Sequence, residues 1–220
     1  MDPSLAINPT VSIPVHEWKF DETSGTTAAD SAGSTPGTLA AGATWAAGYI
    51  NNAVSLNGSS TSYVSYPSGF ISTLGDFSIA GWFKLNSVSS WARLFDFGTG
   101  TSVNMFLVPS QGSNIRYAIT TGGGGAEQRI DGTSIPSTGV WHHFAVTLSG
   151  TVGILYVDGV EVGRNSNMTL KPSSLGNTTQ NYVGKSQYSS DPYLNGLVDD
   201  LQVYNYGLSA SEVSALFSNP

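Results

Sequence analysis

Cysteine is missing from all 220 residues, which excludes disulfide staples and zinc–thiolate centres but leaves the compartment open. Charge is scarce as well. Asp, Glu, Lys and Arg make up 10 % of the chain, and only 8 residues are Lys or Arg, for a net charge of −7. Nucleic-acid affinity rests on basic residues that neutralise phosphates, so no nucleic-acid partner is expected. No apolar run approaches the ~18 residues that a membrane helix needs, so no membrane partner is expected either. No basic n-region with an apolar stretch opens the chain. Glutamate occurs only at 17, 22, 127, 161 and 212.

What is present is glycine, 26 of 220 residues, and aromatics at 11 %. Residues 1–14 carry three prolines and read as a linker or edge lead-in. Apolar–polar alternation then marks short strands. His16, Trp18 and Phe20 share one side of the first. Phe77, Ile79, Phe83 and Leu85 face a core, with Ser78, Ala80, Trp82 and Lys84 opposite. Further strands are predicted over 91–97, 103–108, 114–119 and 141–148. A hairpin is predicted over 154–162, with Asp158-Gly159 where a two-residue primed turn needs positive φ. Ser209 with Glu212 forms a capping-box pattern ahead of one short helix. Many short strands with turn signals every 8–12 residues predict a single β-sandwich over 15–220.

One late strand draws attention. In Gly196-Leu197-Val198-Asp199-Asp200-Leu201-Gln202-Val203-Tyr204-Asn205, strict alternation puts Asp199 on the face of Leu197, Leu201 and Val203. A carboxylate there is costly unless a cation or several donors compensate it. Two adjacent carboxylates opening a strand point to calcium, with a pair of solvated turn aspartates as the bland alternative.

The set Trp18-Lys19-Phe20-Asp21-Glu22, Leu56-Asn57-Gly58, Trp141-His142-His143-Phe144-Ala145, Tyr156-Val157-Asp158-Gly159 and Val198-Asp199-Asp200-Leu201 resembles the laminin-G-like domains of the concanavalin-A-like lectin/glucanase superfamily. The resemblance covers nearly the whole chain. It implies an all-β fold: a jelly-roll β-sandwich of two antiparallel sheets, here with one short C-terminal helix. It also implies calcium near Asp21, Asn57 and Asp199, with Asp200 competing for the last position. The stretches 91–98, 105–107 and 184–193 resemble modules appended to secreted bacterial glycoside hydrolases. Met1-Asp2-Pro3 then reads as the cut edge of a larger secreted or cell-surface bacterial protein.

An enzyme would need a positioned acid and base. No Glu lies two residues from another carboxylate on a strand, the pattern that the glucanases of this fold use, so no retaining pair is visible. His142 and His143 diverge on a strand, and no Ser–His–Asp signature is local. A binding site needs aromatic platforms and directional polar groups. Trp18, Trp82 and Trp141 read as packing residues. Trp91 is the best exposed platform, with Tyr188 in a loop as a second. Arg93, Asp96, Arg116, Glu127 and Gln187 are the polar candidates. Arg93 and Asp96 can serve one site only through a bulge or a strand end. Arg116 could instead pair structurally with Glu127 across a hairpin.

The expectation is a monomeric, non-catalytic carbohydrate-binding module with a structural calcium. Its ligand would be an oligosaccharide or polysaccharide containing arabinose, xylose or galactose. The alternatives are an adhesion or spacer domain with a protein ligand, or a glycosidase.

Overall fold

The computed structural model describes residues 13–220, so most of the lead-in expected over 1–14 lies outside the described residues. In chain order the strands are β1 (His16–Trp18), β2 (Thr27–Ala28), β3 (Gly37–Leu39), β4 (Thr44–Ala47), β5 (Asn52–Asn57), β6 (Val64–Tyr66), β7 (Phe77–Leu85) and β8 (Phe95–Gly100). There follow β9 (Val103–Val108), β10 (Arg116–Thr120), β11 (Gln128–Asp131), β12 (Trp141–Ser149), β13 (Val152–Val157), β14 (Val160–Asn165), β15 (Gln180–Val183), β16 (Asn195–Tyr204) and the helix α1 (Ala210–Ser218). They form two eight-stranded antiparallel sheets. One runs β14-β13-β12-β7-β16-β5-β4, with β1 added on β16, and the other runs β11-β10-β9-β8-β15-β6-β3-β2.

Alternation places the layers. Phe77, Ile79, Phe83 and Leu85 of β7 enter the cluster between the sheets with Phe95, Phe97, Met105 and Phe144. Ala80 points the other way, into a smaller cluster with Tyr204 and Val213 under α1. Burying both faces of β7 is why its sequence is apolar almost throughout. The helix starts as its sequence predicts: Ser209 accepts from the Glu212 amide, and the Glu212 side chain returns to the cap amide. Asp158 and Gly159 have φ of 52° and 76°, the positive pair of a primed hairpin turn.

The strand β16 departs from strict alternation. Its register against β7 shifts between Asp199 and Gln202, and Asp200 takes φ 46°. This bulge swaps faces midway. Val198 lies in the core with Leu201 and Val203, so Asp199 and Leu197 are on the opposite face from those two. The shared face expected for Asp199, Leu201 and Val203 is therefore corrected.

Among the described residues no α-helix covers the outer face of the second sheet, which has its own small cluster, Phe106, Val108 and Ala118, with Trp91 packed against it. Cross-strand register draws one row over this face: Arg129 pairs Ala118, Ala118 pairs Phe106, Phe106 pairs Asp96, and Asp96 pairs Tyr182.

Candidate functional site

The predicted strand over 91–97 begins only at Phe95. Trp91 precedes it in a turn with φ 71°, a left-handed conformation that a bulky residue rarely adopts. Its amide donates to the Ser110 carbonyl at 2.7 Å, and its own carbonyl accepts Arg93 Nη1 at 3.2 Å. Such strain costs on the order of 1–3 kcal/mol and persists where the surroundings over-determine it, commonly at binding sites.

Because Arg93 precedes the strand proper, it can fold back onto the face of Asp96. Its Nε donates to Asp96 Oδ2 at 3.1 Å, and its Nη2 lies 3.1 Å from Asp191 Oδ2. The guanidinium stacks 4.0 Å over the Phe106 ring, with the Trp91 and Tyr188 rings 5.7 and 5.9 Å away. Arg93 is 1 % exposed and Asp96 is fully buried. Burial pushes the Asp96 carboxyl up to about 6 despite the opposing pull of Arg93. The same Asp96 oxygen accepts the Gln187 amide at 3.0 Å, and Asp191 Oδ2 accepts Ser186 Oγ at 2.8 Å. Two carboxylates thus clip the β15–β16 connection onto the sheet through one arginine.

Above this clip opens a cavity of about 320 Å3. Trp91, Arg93, Arg116, Glu127 and Tyr188, all expected at a binding site, line it. Gly124 and Asp191 also line it, from the 122–125 and 186–193 loops that were expected to meet here, as does Arg129, which no sequence signal marked. Three of the chain's four arginines therefore converge on one pocket. Arg116 Cζ lies 5.8 Å from the Trp91 ring. Burial raises the Glu127 carboxyl, against the pull of Arg116, Arg93 and Arg129.

Two expected residues play other parts. Asp96 lies beneath the pocket as the partner of Arg93. The Gln187 side chain lines a neighbouring cleft and donates to the Gln180 carbonyl at 2.7 Å. The structural partner of Arg116 is also corrected. Arg116 Nε donates to Asp131 Oδ1 at 2.6 Å, because the β10–β11 register sets Arg116 opposite Asp131 rather than Glu127.

Of the four metal candidates, Asp21 and Asp200 line one cavity and Asp199 holds the turn beside it, while Asn57 lies apart. Asn57 ends β5, and its Oδ1 accepts the Ser59 amide at 2.9 Å. Asp21 works at the other end of that strand, roughly 17 Å away by strand rise, accepting the Asn52 amide and Asn51 Nδ2. Asp199 Oδ2 accepts the Tyr49 and Ile50 amides at 2.8 and 2.9 Å. Gly48 permits this approach, since a Cβ there would come within 2.6 Å of Asp199 Oδ2. Asp21 and Asp199 thus hold the same 48–52 turn. Burial pushes Asp199 up to about 7 and Asp200 up to about 6, and Asp199 Oδ1 is buried with no hydrogen-bond partner. Among the described residues no three His, Asp or Glu side chains gather into a metal-ligand group. The set therefore fits a cation only in part: Asn57 is excluded, and Asp199 keeps one free oxygen.

A Ser–His–Asp contact, absent from the local sequence signals, does occur. Ser137 Oγ lies 3.0 Å from His142 Nε2, and His142 Nδ1 lies 2.7 Å from Asp158 Oδ2. The other oxygen of Asp158 accepts the His143 amide at 2.9 Å. Its carboxylate therefore fastens the β13–β14 turn to β12, and Ser137, His142 and Asp158 line a cavity of about 220 Å3.

A family model for the concanavalin A-like lectin/glucanases superfamily matches residues 57–214. An α-L-arabinofuranosidase of Bifidobacterium longum subsp. longum is 33 % identical over 90 residues, which are 41 % of this chain and 8 % of that protein. Domain 4 of a GH43 extracellular arabinanase from Geobacillus stearothermophilus, solved in complex with arabinotriose, superposes with a TM-score of 0.79 at 24 % identity. The match covers 94 % of this chain and 98 % of that domain. A Trypanosoma rangeli sialidase gives 0.69 at 16 % identity, over 96 % of this chain and 33 % of the sialidase. At these identities the structural likenesses establish the fold: two antiparallel sheets in a jelly-roll sandwich. No helix among the described residues is long and apolar enough to cross a membrane.

Proposed function

Because the chain belongs to the concanavalin A-like lectin/glucanase superfamily, we propose that it is a non-catalytic carbohydrate-binding module that holds a secreted plant-polysaccharide-degrading glycoside hydrolase on its substrate. One observation carries the reading: a strained Trp91 and a buried, doubly clipped Arg93 form the floor and wall of a pocket rimmed by Arg116, Arg129, Glu127 and Tyr188. Sugars offer apolar C–H faces to aromatic rings and hydroxyls to carboxylates and guanidinium groups. Charged groups outnumber rings at this pocket, which suits a chain end or short branch more than a long flat chain. Arabinose-containing ligands come first, with xylose and galactose next, since the arabinanase domain of like fold was solved with arabinotriose. The module acts as a monomer outside the cell.

Calorimetry with arabino-, xylo- and galacto-oligosaccharides tests this. A dissociation constant of roughly 10 µM to 1 mM is expected, about −4 to −7 kcal/mol. Arg116→Ala should lose about 1.5–3 kcal/mol of that, enough to erase the signal, and melt near wild type because Asp131 is left partly solvated. Chromatography should recover the sugars intact. Sustained product release, abolished by Glu127→Gln, would establish a glycosidase instead. Binding unchanged in Arg116→Ala moves the site elsewhere.

Calcium, as part of the same reading, would draw on Asp199 with Asp21 and Asp200 as its carboxylate donors. The free, buried Asp199 oxygen supports this, because oxygen donors suit calcium. A ligand at a hundred times its dissociation constant stabilises by about 2.7 kcal/mol. At this chain length that is about 5–11 °C of melting temperature. Melting should therefore rise with calcium over chelator, and Asp199→Asn should abolish the response. Superimposable melts in calcium and in excess chelator remove the ion.

A further inference from the structure

The outer face of the second sheet carries more sugar-binding chemistry than the Arg93 pocket uses. We propose a second glycan subsite in the adjoining cleft between Tyr182 and Tyr193, so that one neutral oligosaccharide runs from the pocket, over Tyr188, into that cleft. The inference rests on the carbohydrate-binding reading and names the ligand's minimum extent: more than one sugar residue.

The cleft has a volume of about 390 Å3, and Tyr188 and Asp191 line both it and the pocket. The two spaces therefore share one wall, the connection clipped down by Arg93. Register gives their separation. Phe106, under Arg93, pairs with Asp96, which pairs with Tyr182. Two strand spacings are roughly 10 Å, more than a single sugar ring spans.

The cleft has the chemistry of a sugar platform. Tyr63 packs edge-on against Tyr182 at 5.6 Å, and Tyr193 lies 6.3 Å from Tyr63. Lys185 Nζ sits 4.4 Å from the Tyr63 and Tyr182 ring centres, so the rings hold the ammonium in place. Its donors suit hydroxyl oxygens. Gln187 lines the same cleft, where its side-chain amide donates to the Gln180 carbonyl. A single Lys in an aromatic, amide-lined cleft recognises a neutral polyol; a phosphate-bearing ligand would call for a cluster of cations.

Two subsites on one rigid wall act on one ligand at high effective concentration, so chain length should set affinity. The probes are arabinose and arabinotriose, by calorimetry for the trimer and displacement of the trimer for the monomer. Wild type should bind arabinotriose at least about tenfold tighter than arabinose. Tyr182→Ala and Lys185→Ala should each remove most of that advantage and leave arabinose binding unchanged. Lys185→Ala carries the test if Tyr182→Ala fails to fold. Wild-type arabinotriose affinity in the folded variants overturns the second subsite while the pocket reading stands. Arabinose and arabinotriose binding equally also overturns it. If wild type binds neither sugar, the arabinose reading of the pocket fails, and this inference with it.

Discussion

Replacing Arg93 by methionine should lower the melting temperature by roughly 6–20 °C, the largest stability effect expected of any single substitution at the site. Removing one partner of a buried ion pair strands the other, which costs about 3–5 kcal/mol. Here the stranded group is Asp96, fully buried, with one oxygen already lacking a partner. Asp191 would lose its guanidinium too, but it is partly solvated. The penalty should depend on pH, and the sign follows from the carboxyl. Burial holds Asp96 at about 6 in the fold against 3.8 in the reference state. Between those values the folded chain binds the extra proton, so this group's contribution to stability falls as pH rises through the window. Without Arg93 the carboxyl rises further, and the gap between variant and wild type should widen above pH ~6 and narrow toward pH ~4. Adding Asp96→Leu should recover much of the loss, since an apolar pair can replace a buried ionic one at little cost. Differential scanning calorimetry at three pH values decides it. A variant that melts within about 2 °C of wild type throughout, less than 1 kcal/mol at this chain length, would show that the clip adds nothing.

Trp91→Gly should leave stability near wild type and reduce sugar affinity by more than about tenfold, or 1.4 kcal/mol. At φ 71° glycine is unstrained, which offsets the packing lost against Phe106, Val108 and Ala118. Trp91→Ala keeps the unfavourable backbone and loses the ring as well. The alanine variant should therefore melt below the glycine variant, by about 1 kcal/mol or 2–4 °C, though both lose the sugar. If alanine melts as high as glycine, the turn stores no strain. If the glycine variant binds like wild type, Trp91 is packing and not platform.

The sandwich was readable wherever the chain obeys its periods. The alternation in β7, the Asp158-Gly159 turn and the Ser209–Glu212 cap are local signals, each with a local cause. Failures came where backbone geometry departs from the period. The Asp200 bulge reversed the expected face of Asp199, and the left-handed turn at Trp91 delayed β8 by four residues. Long-range pairing was equally hidden. No sequence signal set Asp191 against Arg93, 98 positions away, or chose Asp131 over Glu127 for Arg116. Arg129 is hidden for a simpler reason. It alternates out of β11 two residues before Asp131, on the same face as Arg116, but β11 is four residues long with one apolar side chain, too short to show a period.

The clip beneath the pocket also divides the β15–β16 connection into residues that are fixed and residues that are free. Asp191 and the Gln187 amide fasten it, whereas Ser189, Ser190 and Pro192 are exposed between and beside those anchors. Substitution at Ser189, which lines the adjoining cleft, can reshape that cleft's edge without loosening the wall behind it. On the proposed glycan-binding reading, natural drift or a designed library could therefore change the preferred sugar from this exposed segment, on an unchanged scaffold.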